Sequence, residues 1–598
     1  WPENSHVSRT TIACKCPTMS SACRAIVSAF ILTAFAWFRT IVAADPQALD
    51  WWQTSVIYQV YPRSFKDSNG DGVGDLKGIE EMAEHFSETG IGAIWLSPIF
   101  KSPMADFGYD ISDFINIDST YGTMDDFVSL LNKLKSLGVR TLLDFVPNHS
   151  SDEHEWFKKS VEKITPYTDY YVWRDGKFDS NGNRMPPNNW RNFFDGSAWE
   201  WSPVRGQYYL HQFTAKQPEL NYESSALLEE MKNVLRFWLD MGVDGFRIDA
   251  MPYLVEDNLF RDEPLLDSVT VDDNHTYFNL NHIYSRDQPA TYKVVEEFRA
   301  VLDEYTDRDG NTRLMLVEAY ADVNYTMMYY SQETPRAHMP FNFNFITYLN
   351  KTSSAVDIKN VIHLWLDNMP RGQWANWVMG NHDNKRVASR FGQDMVDPIN
   401  TLVMLLPGTA ITYNGEEIGM ADGTVRWDQT VDPWGKSGGM AKYEMTSRDP
   451  FRTPFQWNDL HNAGFSTAQY TWLPVNSNYW YLNLAFQKTC ARSHYQTYKR
   501  LVQLRSLLTI ARGDFSAHTI SKWLLIFTRK LEGQDTFYIM INVGTEQETI
   551  TMNEHFNDVP HYMVVRTSSI NAWYAENDYV DTKKSLYMRP KSSIVLSY

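Results

Sequence analysis

The feature that most limits how this chain can fold is a rhythm: apolar runs of four or five residues, several ending at an acid, recur between longer stretches with helical periodicity. Runs of that length are strand-sized. We place strands at 56–60, 93–96, 141–145, 245–248, 314–317, 341–345, 374–378 and 409–413. Amphipathic stretches lie between many of them, such as 124–137, with Phe127, Leu130, Leu131 and Leu134 on one face, and 227–239. Strand–helix alternation at this length predicts an α/β protein, a parallel (β/α)8 TIM barrel with right-handed connections. Three of the runs deliver a carboxylate: GFRIDA contains Asp249, LMLVEAY contains Glu318 and NWVMGNHDN contains Asp383. The C-terminal strand ends of a barrel form one rim, so residues far apart in sequence can meet there. Any one of these acids alone also reads as a turn residue capping the next helix.

The chain has 598 residues, more than one core usually serves. The rhythm breaks between the third and fourth strands, where 151–216 is rich in Asn, Pro, Gly, Trp and Tyr and reads as an inserted domain. After Gly513, β-rich runs at 522–528, 536–542 and 593–596 replace helical periodicity and predict a C-terminal antiparallel β domain. The expected division is barrel over 45–150 and 217–512, insert over 151–216, and β domain over 513–598.

Residues 1–44 read as upstream sequence and a targeting signal. Met19, Arg24, an apolar run over 25–38 and Val42-Ala43-Ala44 have the order of a secretory signal peptide cleaved after Ala44. The run is shorter than the ~20 apolar residues a spanning helix needs, so no membrane anchor is expected. A secreted protein is the prediction. Cleavage would remove Cys14, Cys16 and Cys23 and leave Cys490, expected as a free, buried thiol. Sequons at Asn274, Asn324 and Asn350 fit secretion. Asn148 also heads a sequon but ends a strand beside the expected site, where a glycan would obstruct access. A net charge of -18 repels phosphate backbones and anionic lipid, which excludes nucleic acid and points to a neutral small-molecule substrate.

The segments DFVPNH (144–149), GFRIDA (245–250), VEAY (317–320) and GNHDN (380–384) resemble, in order and spacing, the signature regions of the α-amylase superfamily of glycoside hydrolases. QPELN at 217–221, the opening VIYQVYPRSFKDSNGDGVGDLKGI and SRDPFRTPFQW at 447–457 resemble its oligo-1,6-glucosidase and maltase branch, including insect maltases. The likeness runs from about Asp50 to the C-terminus. It implies a retaining exo-acting α-glucosidase that cuts terminal α-1,4-linked glucose and sucrose through a covalent intermediate, with transglucosylation as a side reaction.

By that resemblance Asp249 is the nucleophile, Glu318 the general acid/base and Asp383 the carboxylate that fixes the distorted sugar. A retaining glycosidase needs such a pair with carboxyl groups about 5 to 5.5 Å apart. Arg247, two residues before Asp249 on one strand, faces the same way and is expected to hold Asp249 ionised. Without a substrate role, Arg247 would still make an ion pair inside the barrel. His149 and His382 resemble donors to glucose hydroxyls. Asp106, Tyr109 and Arg448 resemble residues that recognise the non-reducing end, a carboxylate–arginine pair blocking passage of a longer chain. Tyr109 reads as a stacking face or as packing. Ala250 bears on linkage, since relatives with Val there tend toward α-1,6 bonds. The loop Asp67–Asp75 begins like an EF-hand but has Gly78 where the bidentate glutamate belongs. Similar loops in this branch hold one structural Ca2+ through Asp67, Asn69, Asp71, the Val73 carbonyl and Asp75. No organic cofactor is implied.

Two other readings stay open: a dedicated transglycosidase or sucrose isomerase, and a non-enzymatic amylase-like transporter subunit or receptor. Retention of all three acids weighs against the latter.

Overall fold

A computed structural model describes residues 49–269, 276–331 and 333–598. The segment read as a signal peptide, with Cys14, Cys16 and Cys23, and Asn274 lie outside the described residues. Eight parallel strands form the central sheet: β1 Val56–Val60, β2 Ala93–Leu96, β3 Arg140–Phe145, β4 Gly245–Ile248, β5 Leu314–Val317, β6 Met339–Pro340, β7 Asn376–Val378 and β8 Thr409–Tyr413. Their order is β6-β5-β4-β3-β2-β1-β8-β7, which carries the strands round a nearly closed TIM barrel. Period-two alternation sorts each strand. Ile57, Trp95, Leu142, Leu316 and Ile411 fill the barrel interior. Val56, Tyr58, Leu143, Phe246 and Val317 face the surrounding helices. The same parity carries Gln59, Asp144, Arg247, Asp249 and Glu318 inward at the C-terminal ends.

The two amphipathic stretches form helices Met124–Ser136 and Ser225–Met241. Thr123 and Asp126 make a capping box on the first; Ser224 caps the second, which stops at Gly242 in the left-handed region.

The sixth strand departs from the expectation of 341–345. Only Met339–Pro340 pairs, and Asn344–Tyr348 is already helical. Phe341 and Phe343 keep the strand-like alternation and still fill the barrel interior, which is why the sequence pattern persists. The Asn376 side chain takes over the seam with β7: it accepts from the Asn342 N–H at 2.9 Å and donates to the Pro340 carbonyl at 2.6 Å. A side-chain bridge in place of a ladder leaves no trace in hydrophobic periodicity.

The 151–216 segment contains helix Glu155–Val161 and a small sheet of Trp173–Arg174, Gln207–Leu210 and Trp199–Ser202. The C-terminal region forms a six-stranded sheet of β9 Asp514–Thr519, β10 Leu524–Lys530, β11 Phe537–Asn542, β12 Tyr562–Ser568, β13 Tyr579–Asp581 and β14 Ser592–Ser597, in the order β9-β10-β11-β14-β12-β13. Both of its faces are covered. Leu525, Phe527, Phe537, Ile539 and Val595 join the core that also packs the barrel helices, while Leu524, Ile526, Tyr538, Met540 and Leu596 build a second core.

Candidate active site

Asp249, Glu318 and Asp383 face one cavity of about 490 Å³, together with Asp106, Tyr109, His149, Ala250, His382 and Arg448. Arg247 lies against its acids. One guanidinium nitrogen of Arg247 is 2.7 Å from Asp144 Oδ1 and 2.5 Å from Asp249 Oδ1, and the other is 2.8 Å from Glu318 Oε2. One cation thus serves three carboxylates in a buried setting, too little charge to keep all three ionised. Burial drives Asp249 well above the usual carboxylate range. Arg247 opposes that shift, and Glu318 and Asp144 add to it, including a hydrogen bond with Glu318. Burial likewise pushes Asp144 up to about 7. Arg247 therefore favours the ionised form of Asp249, as expected, but its charge is divided among three carboxyls, and burial and the neighbouring acids outweigh it. The Ala250 N–H donates to Glu318 Oε2 at 3.0 Å from a left-handed backbone, φ 49° and ψ 33°.

Asp383 has the opposite environment. Its Oδ1 is 2.7 Å from Arg452 Nη2 and 3.2 Å from Arg448 Nη1, and its Oδ2 is 3.2 Å from His382 Nε2. Burial raises this carboxyl, but His382, Arg452 and Arg448 outweigh it and hold Asp383 well below the usual range. Arg448 Nη2 reaches Asp106 Oδ1 at 2.7 Å and Asp432 Oδ1 at 2.6 Å, so the expected Asp106–Arg448 pair forms across the pocket. Gln217 Nε2 joins Asp106 Oδ2 (3.4 Å) to His149 Nε2 (3.1 Å). Burial lowers His149 to about 3 and His382 well below its usual value, so both rings are neutral near pH 7. The Tyr109 ring lies parallel to that of His382 at 5.5 Å, and its hydroxyl is 2.6 Å from His382 Nε2. One ring therefore both packs and lines the pocket.

Against known proteins, residues 59–513 match the model for the α-amylase catalytic domain. The chain belongs to the α-amylase family. It is 50% identical to a salivary alpha-glucosidase of Anopheles gambiae over 92% of this chain and 93% of that one. It is 44% identical to an alpha-glucosidase of Apis mellifera over 86% and 89%. Among solved structures it resembles the trehalulose synthase MutB of Pseudomonas mesoacidophila, with 33% identity, a TM-score of 0.79, and coverage of 92% and 100%.

Several residues that hold the pocket's side chains in this α-amylase family member escaped the sequence reading. Asp144 and Gln59 have the inward strand parity, which is a usable signal; Gln59 Nε2 stands 2.7 Å from His382 Nδ1. Arg452 follows Arg448 by four residues in SRDPFR. Asp432 carries no motif. An aromatic wall also went unseen: Phe193 and Phe213 from the insert meet Trp434 at 5.2 Å and Tyr253 at 5.2 Å respectively, and Phe213 lies 5.1 Å from His149. Its members come from separate loops, which no local pattern connects.

Away from the pocket, Asp67 accepts from the N–H groups of Asn69, Gly70 and Gly72 and from the Ser466 hydroxyl. Asn69 accepts from Asp71 N–H, Asp71 from Val73 N–H, and Asp75 from Ser68 and Gly78. Among the described residues no group of three or more His, Cys, Asp or Glu side chains is placed to hold a metal ion. Asn324 and Asn350 are exposed, whereas Asn148 is fully buried. Cys490 is free but only half-buried, a correction to the buried thiol: it caps the C-terminal end of the surface helix Leu484–Thr489. No helix among the described residues is long and apolar enough to cross a membrane.

Proposed function

We propose that this protein is a retaining, exo-acting α-glucosidase that releases glucose from the non-reducing end of maltose, sucrose and short maltooligosaccharides. The observation that carries the reading is that Asp249 and Glu318 sit on the two terminal nitrogens of one guanidinium, Arg247, in a pocket crossed by the Asp106–Arg448 pair. Carboxyl groups bridged by one guanidinium fit the short separation of a retaining pair better than the wider one that accommodates an inverting enzyme's water. Asp249 attacks the anomeric carbon while Glu318 gives its proton to the leaving oxygen. The same glutamate then deprotonates the water that opens the glucosyl ester, with net retention. Asp383, kept anionic by Arg452 and Arg448, and the neutral His149 and His382 bind the hydroxyls of the distorted sugar. Arg448 and Asp106 grip its far end.

The similarity to glucosidases of two insects supports hydrolysis. That to a trehalulose synthase supports transfer to a second sugar as a side reaction. Purified protein supplied with maltose, sucrose and isomaltose, with the released anomer followed by NMR, tests both. α-Glucose should appear first, and transfer products should grow at high sucrose. Freshly released β-glucose would end the retaining reading.

Secretion, glycans on the exposed Asn324 and Asn350, and a structural Ca2+ in the Asp67–Asp75 loop belong to the same proposal. The all-oxygen donor set of that loop, wound by successive Asx turns, fits a hard cation. The ion would stiffen the loop and takes no part in the reaction.

A further inference from the structure

The catalytic cavity adjoins a second one of about 760 Å³, and Leu280, His282, Arg286 and Tyr320 line both, whereas Asp106 and Arg448 line only the first. Arg448 therefore works at the end of the pocket away from that opening. What holds it there is an excursion of the chain after β8, with the fully buried Asp432 at its start and Arg448 at its return. Asp432 Oδ1 accepts from Arg448 Nε at 2.9 Å and from Nη2 at 2.6 Å, and Oδ2 accepts from the Arg448 backbone N–H at 2.9 Å. One acid thus fixes both the main chain and the side chain of one arginine. Burial raises Asp432, but Arg448 and Arg452 outweigh it and hold the carboxyl below its usual range, so an anion faces the guanidinium. Gly435 permits the close return, since a Cβ there would stand 2.7 Å from Ser447 Cβ.

This clamp decides what Arg448 can offer the pocket. A free guanidinium pairs side-on with a carboxylate through two parallel N–H bonds and takes up both of its oxygens. Here Nε and one Nη2 hydrogen are committed to Asp432. The remaining donors reach Asp106 through its Oδ1 at 2.7 Å and Asp383 through its Oδ1 at 3.2 Å. Each of those two acids keeps its Oδ2 off the guanidinium, as an acceptor for a sugar hydroxyl. Asp432 itself is not part of the cavity lining, so it acts through Arg448 rather than by touching the substrate.

We propose that Asp432 is a positioning residue for recognition of the terminal glucose unit: it holds Arg448 so that Asp106 and Asp383 each keep an oxygen for that sugar. The inference rests on the glucosidase reading above, which is tested apart from it by glucose release from maltose with unsubstituted protein. Asp432→Asn keeps the side chain's shape and removes its charge. Its kcat and KM are measured for maltose and for p-nitrophenyl α-glucoside, which share only the glucose unit, and its binding of free glucose is followed by calorimetry. Both KM values and the glucose Kd should rise at least about tenfold, with kcat changed less than about threefold. Added to Arg448→Met, the same substitution should lower kcat/KM for the aryl glucoside less than about twofold, because the group it acts through is gone. A fall in kcat with KM unmoved, a KM rise confined to maltose, or an effect undiminished in the Arg448→Met protein would overturn the proposal. If Asp432→Asn does not fold, Asp432→Ser, which keeps an acceptor for the Gly435 N–H, goes through the same assays. Loss of folding in both would make Asp432 a purely structural residue and overturn the proposal as well.

Discussion

Asp144 is the residue whose removal reports most directly on the electrostatics of the site. Its negative charge helps to raise Asp249, so Asp144→Asn should lower the proton affinity of Asp249 and move the acidic limb of kcat/KM to lower pH by about half a unit or more. A pH–rate profile checks this; an unmoved limb would mean the two carboxyls do not share a field. Asp249→Asn should cost about 10³-fold or more in kcat, because no other group stands where the ester must form. Glu318→Gln should cost maltose hydrolysis about 10²- to 10⁴-fold but slow the first step far less for a p-nitrophenyl glucoside, whose leaving group needs no acid. Ala250→Val meets two penalties at once. A β-branched side chain at φ 49° is strained by roughly 1–3 kcal/mol, and the strain acts on the N–H that holds Glu318. Melting temperature should fall and the maltose-to-isomaltose rate ratio should shift; an unchanged ratio would remove Ala250 from any role in linkage choice. At this scale the sequence was legible at inward strand positions such as Arg247, Asp249 and Glu318, while Asp144, with the same parity, was missed. It was silent at Asp432 and at the aromatic wall.

At the scale of elements, strands β1, β2, β4, β5 and β8 were legible to the residue, because their apolar runs are buried on both faces. The sixth strand was not, since Phe341 and Phe343 keep an alternation that the backbone no longer pairs. The Asp67–Asp75 loop is where element-scale chemistry is most open to test. If it holds Ca2+, chelator should lower the melting temperature by several degrees and Asp71→Ala should abolish that difference, with kcat nearly unaltered. Identical melting with Ca2+ and with chelator would leave the loop standing on its own Asx turns.

The whole molecule couples its parts through the C-terminal sheet. Because Leu525, Phe527 and Ile539 belong to the barrel's core, deletion of 513–598 should yield insoluble protein rather than a weaker enzyme. Hydrogen bonds from Arg529 to the Leu405 carbonyl (3.1 Å) and between Thr401 and Ser593 (2.9 Å) cross the same junction.

Stability should also depend on pH in a definite direction. Burial raises Asp144 to about 7 and Glu256 and Glu416 to about 8, so their contribution is complete below the ordinary carboxylate range and is lost as pH rises toward those values. Burial lowers His149 to about 3 and His154 and His211 to about 4, so their contribution is complete above the ordinary histidine value and is lost as pH falls below it. The two sets oppose one another between about pH 4 and 6.5, and only the carboxyls act above that. Thermal melts should show highest stability on the acidic side of neutrality and a decline from pH 6.5 to 8; a rise over that interval would contradict the buried-acid assignment.

Strand order, helix faces and the parity that turns acids toward the barrel rim were determined by the sequence alone, because each is a local periodic property of burial. Which charges share Arg247, how separate segments build one aromatic wall, and where a second cavity opens beside the first were decided only by the tertiary structure. Those relations join residues hundreds of positions apart, and no local pattern records a distance that exists only once the barrel closes.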